Sequence, residues 1–102
     1  MNAVSENGAY VCYGTNGKIT DAHNNTWEIN EWSLIIKNSV STSQSALIIV
    51  YWNEIVFSYN LLTRWRHWRT NSWATVTNVE DLNYLSSVQQ SLSTPTPGNK
   101  NK

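Results

Sequence analysis

Cysteine is all but missing. Cys12 is the only one, which excludes an intramolecular disulfide and any zinc site built on several thiolates. It sits in the strand-like run Ala9-Tyr10-Val11-Cys12-Tyr13, where a lone thiol is expected to behave as a small buried hydrophobe. Charge is scarce as well: charged residues are 14% of the chain and the formal net charge is zero, so no global field draws in nucleic acid or an acidic membrane. Any basic site must be local. No apolar run approaches the length of a membrane span, and Met1 leads into a stretch holding Asn, Ser, Glu and Gly instead of a basic and then hydrophobic leader. The expectation is a soluble chain with no signal peptide and no membrane partner.

What is present is polar without being charged. Asn, Ser and Thr suit turns, strand surfaces and hydrogen bonding to neutral, hydroxyl-rich partners. Against that background stand six tryptophans in 102 residues: Trp27, Trp32 and Trp52, then Trp65, Trp68 and Trp73. Each ring either fills a core or is displayed to a ligand. The length fits one domain whose core needs no metal or disulfide.

Most of the chain alternates on a two-residue beat between short turn signals, the pattern of an antiparallel all-β domain. Strands are expected at 9–13, 18–20, 26–29, 32–37, 46–52, 55–59, 63–69 and 72–77, about seven or eight, spaced as in a β-sandwich or small barrel. Asp21-Ala22-His23-Asn24-Asn25 is a polar loop whose side chains can bond their own backbone. Asn53-Glu54 reads as a two-residue hairpin turn, with Glu standing where Gly is usual. After Thr77 the beat changes: Val79, Leu82, Leu85, Val88 and Leu92 recur at three- and four-residue intervals, Asn78 can cap, and Glu80 and Asp81 lie in the first turn. The organisation expected is therefore a β-sandwich over 1–78, an amphipathic helix over 79–92 and a disordered tail over 93–102. The helix's apolar stripe must be covered, either by the β domain or by another subunit.

Four segments in order carry a resemblance: Lys18 to Ile29 with its Ile19-Thr20-Asp21, Asn25 and Trp27; Lys37-Asn38-Ser39-Val40; Tyr51 to Asn60; and Trp65-Arg66-His67-Trp68 with Trp73. Together they resemble a small Trp-rich β-sandwich module found appended to bacterial glycoside hydrolases and to bacterial or phage surface proteins. In that family Ile-Thr-Asp, then Asn, then Trp leads to Asn-Gly turns and a Trp-Trp-x-Trp strand. The resemblance spans about Lys18 to Trp73 and implies noncatalytic carbohydrate binding or surface attachment. The chain departs from the pattern at Ser39 and Glu54, where turn glycines are expected, and at Arg66, in place of the middle Trp.

The aromatic strand can be read on its own terms. In extended chain Trp65, His67 and Arg69 share one face while Arg64, Arg66 and Trp68 share the other. Burying two arginines without partners is unfavourable, so the Arg64/Arg66/Trp68 face is expected in solvent and Trp65 in the core. An exposed Trp68 flanked by Arg66 and Arg64 offers a platform for the C–H face of a sugar, with guanidinium donors for its hydroxyls or carboxylate. The plainer reading is a cation–π pair of Arg64 or Arg66 with Trp68. Trp73 either closes a groove with Trp68 or caps the core. Trp27 is assigned to the core, and Trp52 and Tyr59 could pair across the central hairpin.

Other chemistries are weaker. Asp21 and His23 on one loop do not make a triad, and Glu28, Glu31 and Glu54 read as surface charges instead of a glycosidase pair. A metal at Asp21, His23 and Asn24 competes with simple capping of backbone groups. No catalytic residue, metal or cofactor is expected. The function expected is a noncatalytic, lectin-like carbohydrate-binding or surface-attachment module, extracellular or on a virion surface, with Trp68, Arg66, Arg64 and Trp73 contacting a glycan or cell-surface polysaccharide. The alternative is a structural phage virion decoration or adaptor protein, an oligomer assembling through the aromatic face and the helix. A second alternative is single-stranded nucleic-acid binding through Arg64, Arg66 and Arg69 interleaved with Trp65 and Trp68, against which stands the zero net charge.

Overall fold

The computed structural model describes residues 4–12 and 17–93. Residues 13–16 and, of the tail expected over 93–102, residues 94–102 lie outside the described residues; Ser93 belongs to the helix instead. The strands are β1 (Ala9–Cys12), β2 (Ile19–Thr20), β3 (Thr26–Ile29), β4 (Leu34–Lys37), β5 (Val40–Ser45), β6 (Ile48–Trp52), β7 (Ile55–Asn60), β8 (Arg64–Arg69) and β9 (Ser72–Thr75), followed by helix α1 (Val79–Ser93). All pairings are antiparallel. They build a five-stranded sheet in the order β1-β6-β7-β8-β9 and a four-stranded sheet in the order β2-β3-β4-β5. The architecture is all-β and sandwich-like, with one C-terminal helix.

One strand was not foreseen. β5 reads Val-Ser-Thr-Ser-Gln-Ser, is mostly exposed, and forms an edge of the smaller sheet. With no buried face it carries no hydrophobic beat, so alternation cannot reveal it. Its ladder with β4 is irregular, Leu34 pairing with Ser45 but Ile36 with Ser41, and Ser43 takes a left-handed φ of 63°. That bulge bends an otherwise open edge away from regular pairing.

The larger sheet is covered on both faces. On one side Val11, Ile49, Tyr51 and Val56 meet Ile19, Trp27, Ile29 and Ile35 of the smaller sheet. On the other, Ile48, Val50, Phe57, Tyr59 and Trp65 meet Leu85, with Leu82, Tyr84 and Val88 around it. Alternate residues of β6 therefore enter different cores, which is why its run is apolar without a break. The helix packs on its own chain: Leu85 is fully buried, Tyr84 stacks on Trp52 with centroids 4.3 Å apart and planes 11° from parallel, and Trp65 Nε1 donates to Gln89 Oε1 at 3.3 Å. Asn78 caps it as expected, its Oδ1 accepting from Asp81 N at 2.9 Å. Cys12 is half-buried against the helix-side core, and burial pushes its thiol pKa up.

Covering both faces corrects the reading of β8. Neither face of the strand is bare: Trp65 lies beneath the helix, as a core residue, while Trp68 packs toward the smaller sheet and, with Arg66, stays only partly exposed. The expectation of a solvent face assumed that one side of the sheet stayed bare.

Three hairpins close with two residues, Asn38-Ser39, Asn53-Glu54 and Thr70-Asn71, and all six residues have positive φ, between 44° and 68°. These are the turns whose twist matches that of the flanking strands, and they normally take Gly at the second position. A left-handed non-glycine residue costs roughly 1–2 kcal/mol, part of which a glycine's larger unfolded-state entropy gives back. Ser39→Gly and Glu54→Gly are each expected to raise stability by about 0.5–1 kcal/mol. Urea unfolding with an unchanged m-value would check this; a lowered midpoint in both would show that their side chains contribute more than the backbone strain they impose.

Candidate binding cleft

The site is built outward from one carboxylate. Asp21 follows β2, and its Oδ1 accepts from the backbone N–H groups of His23 at 2.8 Å and Asn25 at 2.9 Å. Its Oδ2 accepts from Asn25 Nδ2 at 3.3 Å and from the buried indole Nε1–H of Trp27 at 2.9 Å. The loop turns with Asn24 left-handed at φ 67°. Burial alone would push the Asp21 carboxyl up, but the bonds from Trp27, Asn25 and His23 together outweigh it and hold the pKa below the ordinary value. Asn38, from the β4–β5 turn, ties in the same loop: its Oδ1 accepts from Thr26 N and its Nδ2 donates to Asn25 Oδ1, both at 2.9 Å. Asp21 thus caps backbone and holds an indole, the plainer of the two roles expected of it. His23 and Asn24 are exposed beside it. Among the described residues no group of three or more His, Cys, Asp or Glu could hold a metal ion.

Trp27, fixed by Asp21, is fully buried and meets two rings of the other sheet. Trp68 and Trp73 are direct cross-strand partners on β8 and β9. Their ring centroids lie 5.1 Å apart at 71°, and Trp27 stands 5.2 Å from Trp68 and 5.6 Å from Trp73, at 70° and 65°. All three contacts are edge-to-face, the arrangement that the aromatic quadrupole favours. Trp68 and Trp73 are half-buried, so each has one part in the core and one at the surface. Lys37 Nζ lies 5.6 Å from the Trp68 ring centre and 5.9 Å from that of Trp27.

The exposed parts of these rings wall a cleft of about 420 Å³ between β5 and β9, the edge strands of the two sheets. Thr42 and Gln44 line it from β5, Arg66 and Trp68 from β8, and Asn71, Ser72 and Trp73 from the β8–β9 hairpin. Arg66 crosses the opening: its Nη2 donates to Gln44 Oε1 at 3.2 Å, and its guanidinium carbon lies 5.9 Å from the Trp73 ring centre. The cation over Trp68 is Lys37 and not the expected Arg64 or Arg66, and Arg66 sits over Trp73. Arg66 Nε and Trp73 Nε1 are buried N–H donors with no hydrogen-bond partner among the described residues. A smaller cleft of about 220 Å³, to which Asp21, His23 and Glu54 contribute, shares Trp68 and Asn71 with the first.

Of the four residues nominated from sequence, Arg66, Trp68 and Trp73 come together and Arg64 does not. Arg64 opens β8 with a left-handed φ of 62°, and its Nη1 donates to Tyr59 Oη at 3.1 Å. Tyr59 belongs to the helix-side core; the left-handed step breaks the alternation that would have set Arg64 beside Arg66. Tyr59 pairs with Trp65 at 5.0 Å and Trp52 with Tyr84, so these two aromatics do not pair with each other. Thr42, Gln44 and Lys37 were missed. Thr42 and Gln44 are on the strand without a hydrophobic beat, and a lysine ending β4 gives no signal of the rings across from it. Glu28 pairs with Lys18 at 3.7 Å, Glu31 is exposed in the β3–β4 turn and Glu54 is in the β6–β7 turn.

No family model, curated protein or solved structure matches the chain. No helix among the described residues is long and apolar enough to cross a membrane.

Asp21→Asn keeps the shape but sets an amide donor among N–H groups, and is expected to destabilise the fold by about 2–3 kcal/mol. Because the folded pKa is depressed, the carboxylate's contribution is complete above the unfolded value of about 4 and is lost as pH falls through the folded one. Urea midpoints measured against pH should show the gap between wild type and Asp21→Asn narrowing below about pH 4; a constant gap would mean that Asp21 acts by shape alone.

Proposed function

We propose that the two sheets form a β-sandwich that serves as a noncatalytic carbohydrate-binding or surface-attachment module, with the cleft between β5 and β9 as its ligand site. The carrying observation is the convergence of Trp68, Trp73 and Arg66 with the neutral polar side chains of Thr42, Gln44, Asn71 and Ser72 on one cleft. Indole surfaces accept the C–H faces of sugar rings, and amides, hydroxyls and a guanidinium serve sugar hydroxyls. The cleft is lined by no carboxylate, imidazole or thiol, which supports binding over a glycosidase reading. The ring acting on the ligand is a fixed wall instead of a free platform. Edge-to-face packing on Trp27 sets Trp68 and Trp73 before a ligand arrives, which lowers the ordering entropy of binding. The resemblance to the Trp-rich module of glycoside hydrolases and phage or bacterial surface proteins supports the same reading and an extracellular or virion-surface location. A nucleic-acid surface is less well served, since Trp65 lies under the helix and Arg64 is held by Tyr59.

A glycan array is the direct test. Wild type is expected to bind at least one oligosaccharide, and Trp68→Ala to weaken it by about tenfold or more. Because Trp68 also packs on Trp27, Ser72→Leu, at an exposed position on the cleft rim, should weaken the same ligand while its melting curve stays that of the wild type. Binding that survives both changes would place the ligand elsewhere.

The structural reading, a virion decoration or adaptor protein, draws on a different surface. Leu82, Leu85 and Val88 of the helix stripe are covered in cis, but Val79 is 68% exposed. Elsewhere Leu62 is 95% exposed, Leu61 69%, Trp32 64% and Leu47 40%. Their segments are tied together by Ala46 N to Ser33 O at 2.9 Å, Leu47 N to Tyr59 O at 2.8 Å and Asn60 Nδ2 to Ser45 O at 3.0 Å. Apolar tips gathered at one end suit subunit contacts. Light scattering is expected, on this reading, to show an oligomer that becomes monomeric when Leu61 and Leu62 are both changed to Asn. A wild-type monomer at micromolar concentration would exclude self-assembly through this end.

A further inference from the structure

We infer that the saccharide taken by the cleft is acidic, a uronate-type sugar whose carboxylate docks on the Nε/Nη2 edge of Arg66. The inference rests on the cleft being a saccharide site and adds which class of saccharide it takes. Nε and Nη2 point along one edge of a guanidinium and suit the two oxygens of a carboxylate. In this chain the edge is half used: Nη2 donates to the neutral amide oxygen of Gln44 at 3.2 Å, while Nε is buried with no partner. A side-chain amide presents a single oxygen and can satisfy one of those donors well. A carboxylate replacing it would satisfy both, and with charge.

The surroundings favour an anion. Arg66 has no carboxylate ion partner among the described residues, where the ion pair found is Lys18 with Glu28. Lys37, although not in the cleft lining, sets a second cation 5.6 Å from the centre of the Trp68 ring. Trp73, whose ring lines the cleft, likewise has a buried indole N–H without an acceptor among the described residues. The carboxylates Asp21 and Glu54 lie on the smaller cleft, so charge is segregated across Trp68 although the chain as a whole is neutral.

The test compares an oligogalacturonate tetramer with the neutral galactose tetramer by calorimetry. The acidic tetramer is expected to bind about tenfold tighter. That ratio should fall to about one in Arg66→Gln and remain intermediate in Arg66→Lys, which keeps the charge but loses the fork. Gln44→Ala removes the internal competitor and should raise affinity for the acidic tetramer. Salt should weaken the acidic ligand selectively, since the pair is electrostatic. Equal affinities for the two tetramers, or a preference that survives Arg66→Gln in a protein with wild-type melting behaviour, would overturn the inference and leave the saccharide reading standing. Tetraglutamate binding as tightly as the acidic sugar would also overturn it, since the site would then read charge alone. Failure of the acidic tetramer to bind the folded protein would overturn the inference, and the saccharide reading would then stand or fall on the glycan array alone.

Discussion

The indole N–H of Trp27 is held by the Asp21 carboxylate, and the shape of the cleft between β5 and β9 depends on that bond. A buried Trp nitrogen without a partner would be unfavourable, so the ring must keep the orientation in which it reaches Asp21 at 2.9 Å. That orientation sets the edges against which Trp68 and Trp73 pack. Those two rings in turn hold the cleft wall. Asp21 is itself fixed by the backbone it caps, so one charged side chain couples a surface loop, the core between the sheets and the proposed binding surface. The spacing Asp21, Asn25, Trp27 therefore has a physical sense: acceptor, loop partner and the ring they jointly hold.

The same chain solves a second packing problem with the helix. A five-stranded sheet flanked on one side by four strands would leave Ile48, Val50, Phe57 and Tyr59 facing water; α1 covers them. The tryptophans divide accordingly. Trp27, Trp68 and Trp73 belong to the space between the sheets, Trp52 and Trp65 to the helix side, and Trp32 to neither, being 64% exposed. Only rings at the open margin between the sheets can both fill the core and face a cleft.

How much of this was legible in the sequence follows from the range of the interactions involved. Hairpins and the helix are local, and the period of two, the Asn53-Glu54 turn and the Asn78 cap were readable from neighbouring residues alone. Trp27 and Trp65 as core residues followed from alternation. Arg66, Trp68 and Trp73 could be grouped because one hairpin carries all three. What could not be read were facts set by distant segments. That α1 covers the second face of β8 is not written in β8. β5 left no trace because a strand with both faces wet has no pattern to show, and with it went Thr42 and Gln44. Arg64 was misplaced by a single left-handed residue, a backbone choice that its side chain does nothing to announce.

The order of the strands carries a kinetic consequence. β2 to β5 form a meander of consecutive hairpins, and β6 to β9 form another, with β1 joining the second by its pairing of Ala9 with Tyr51. Each meander can assemble from contacts close in sequence, which is the fast part of building a β protein. The cleft is made by neither of them; it comes into being when β5 of one comes to lie beside β9 of the other. A ligand held there would touch both meanders at once, and so would act as a clasp that slows their parting.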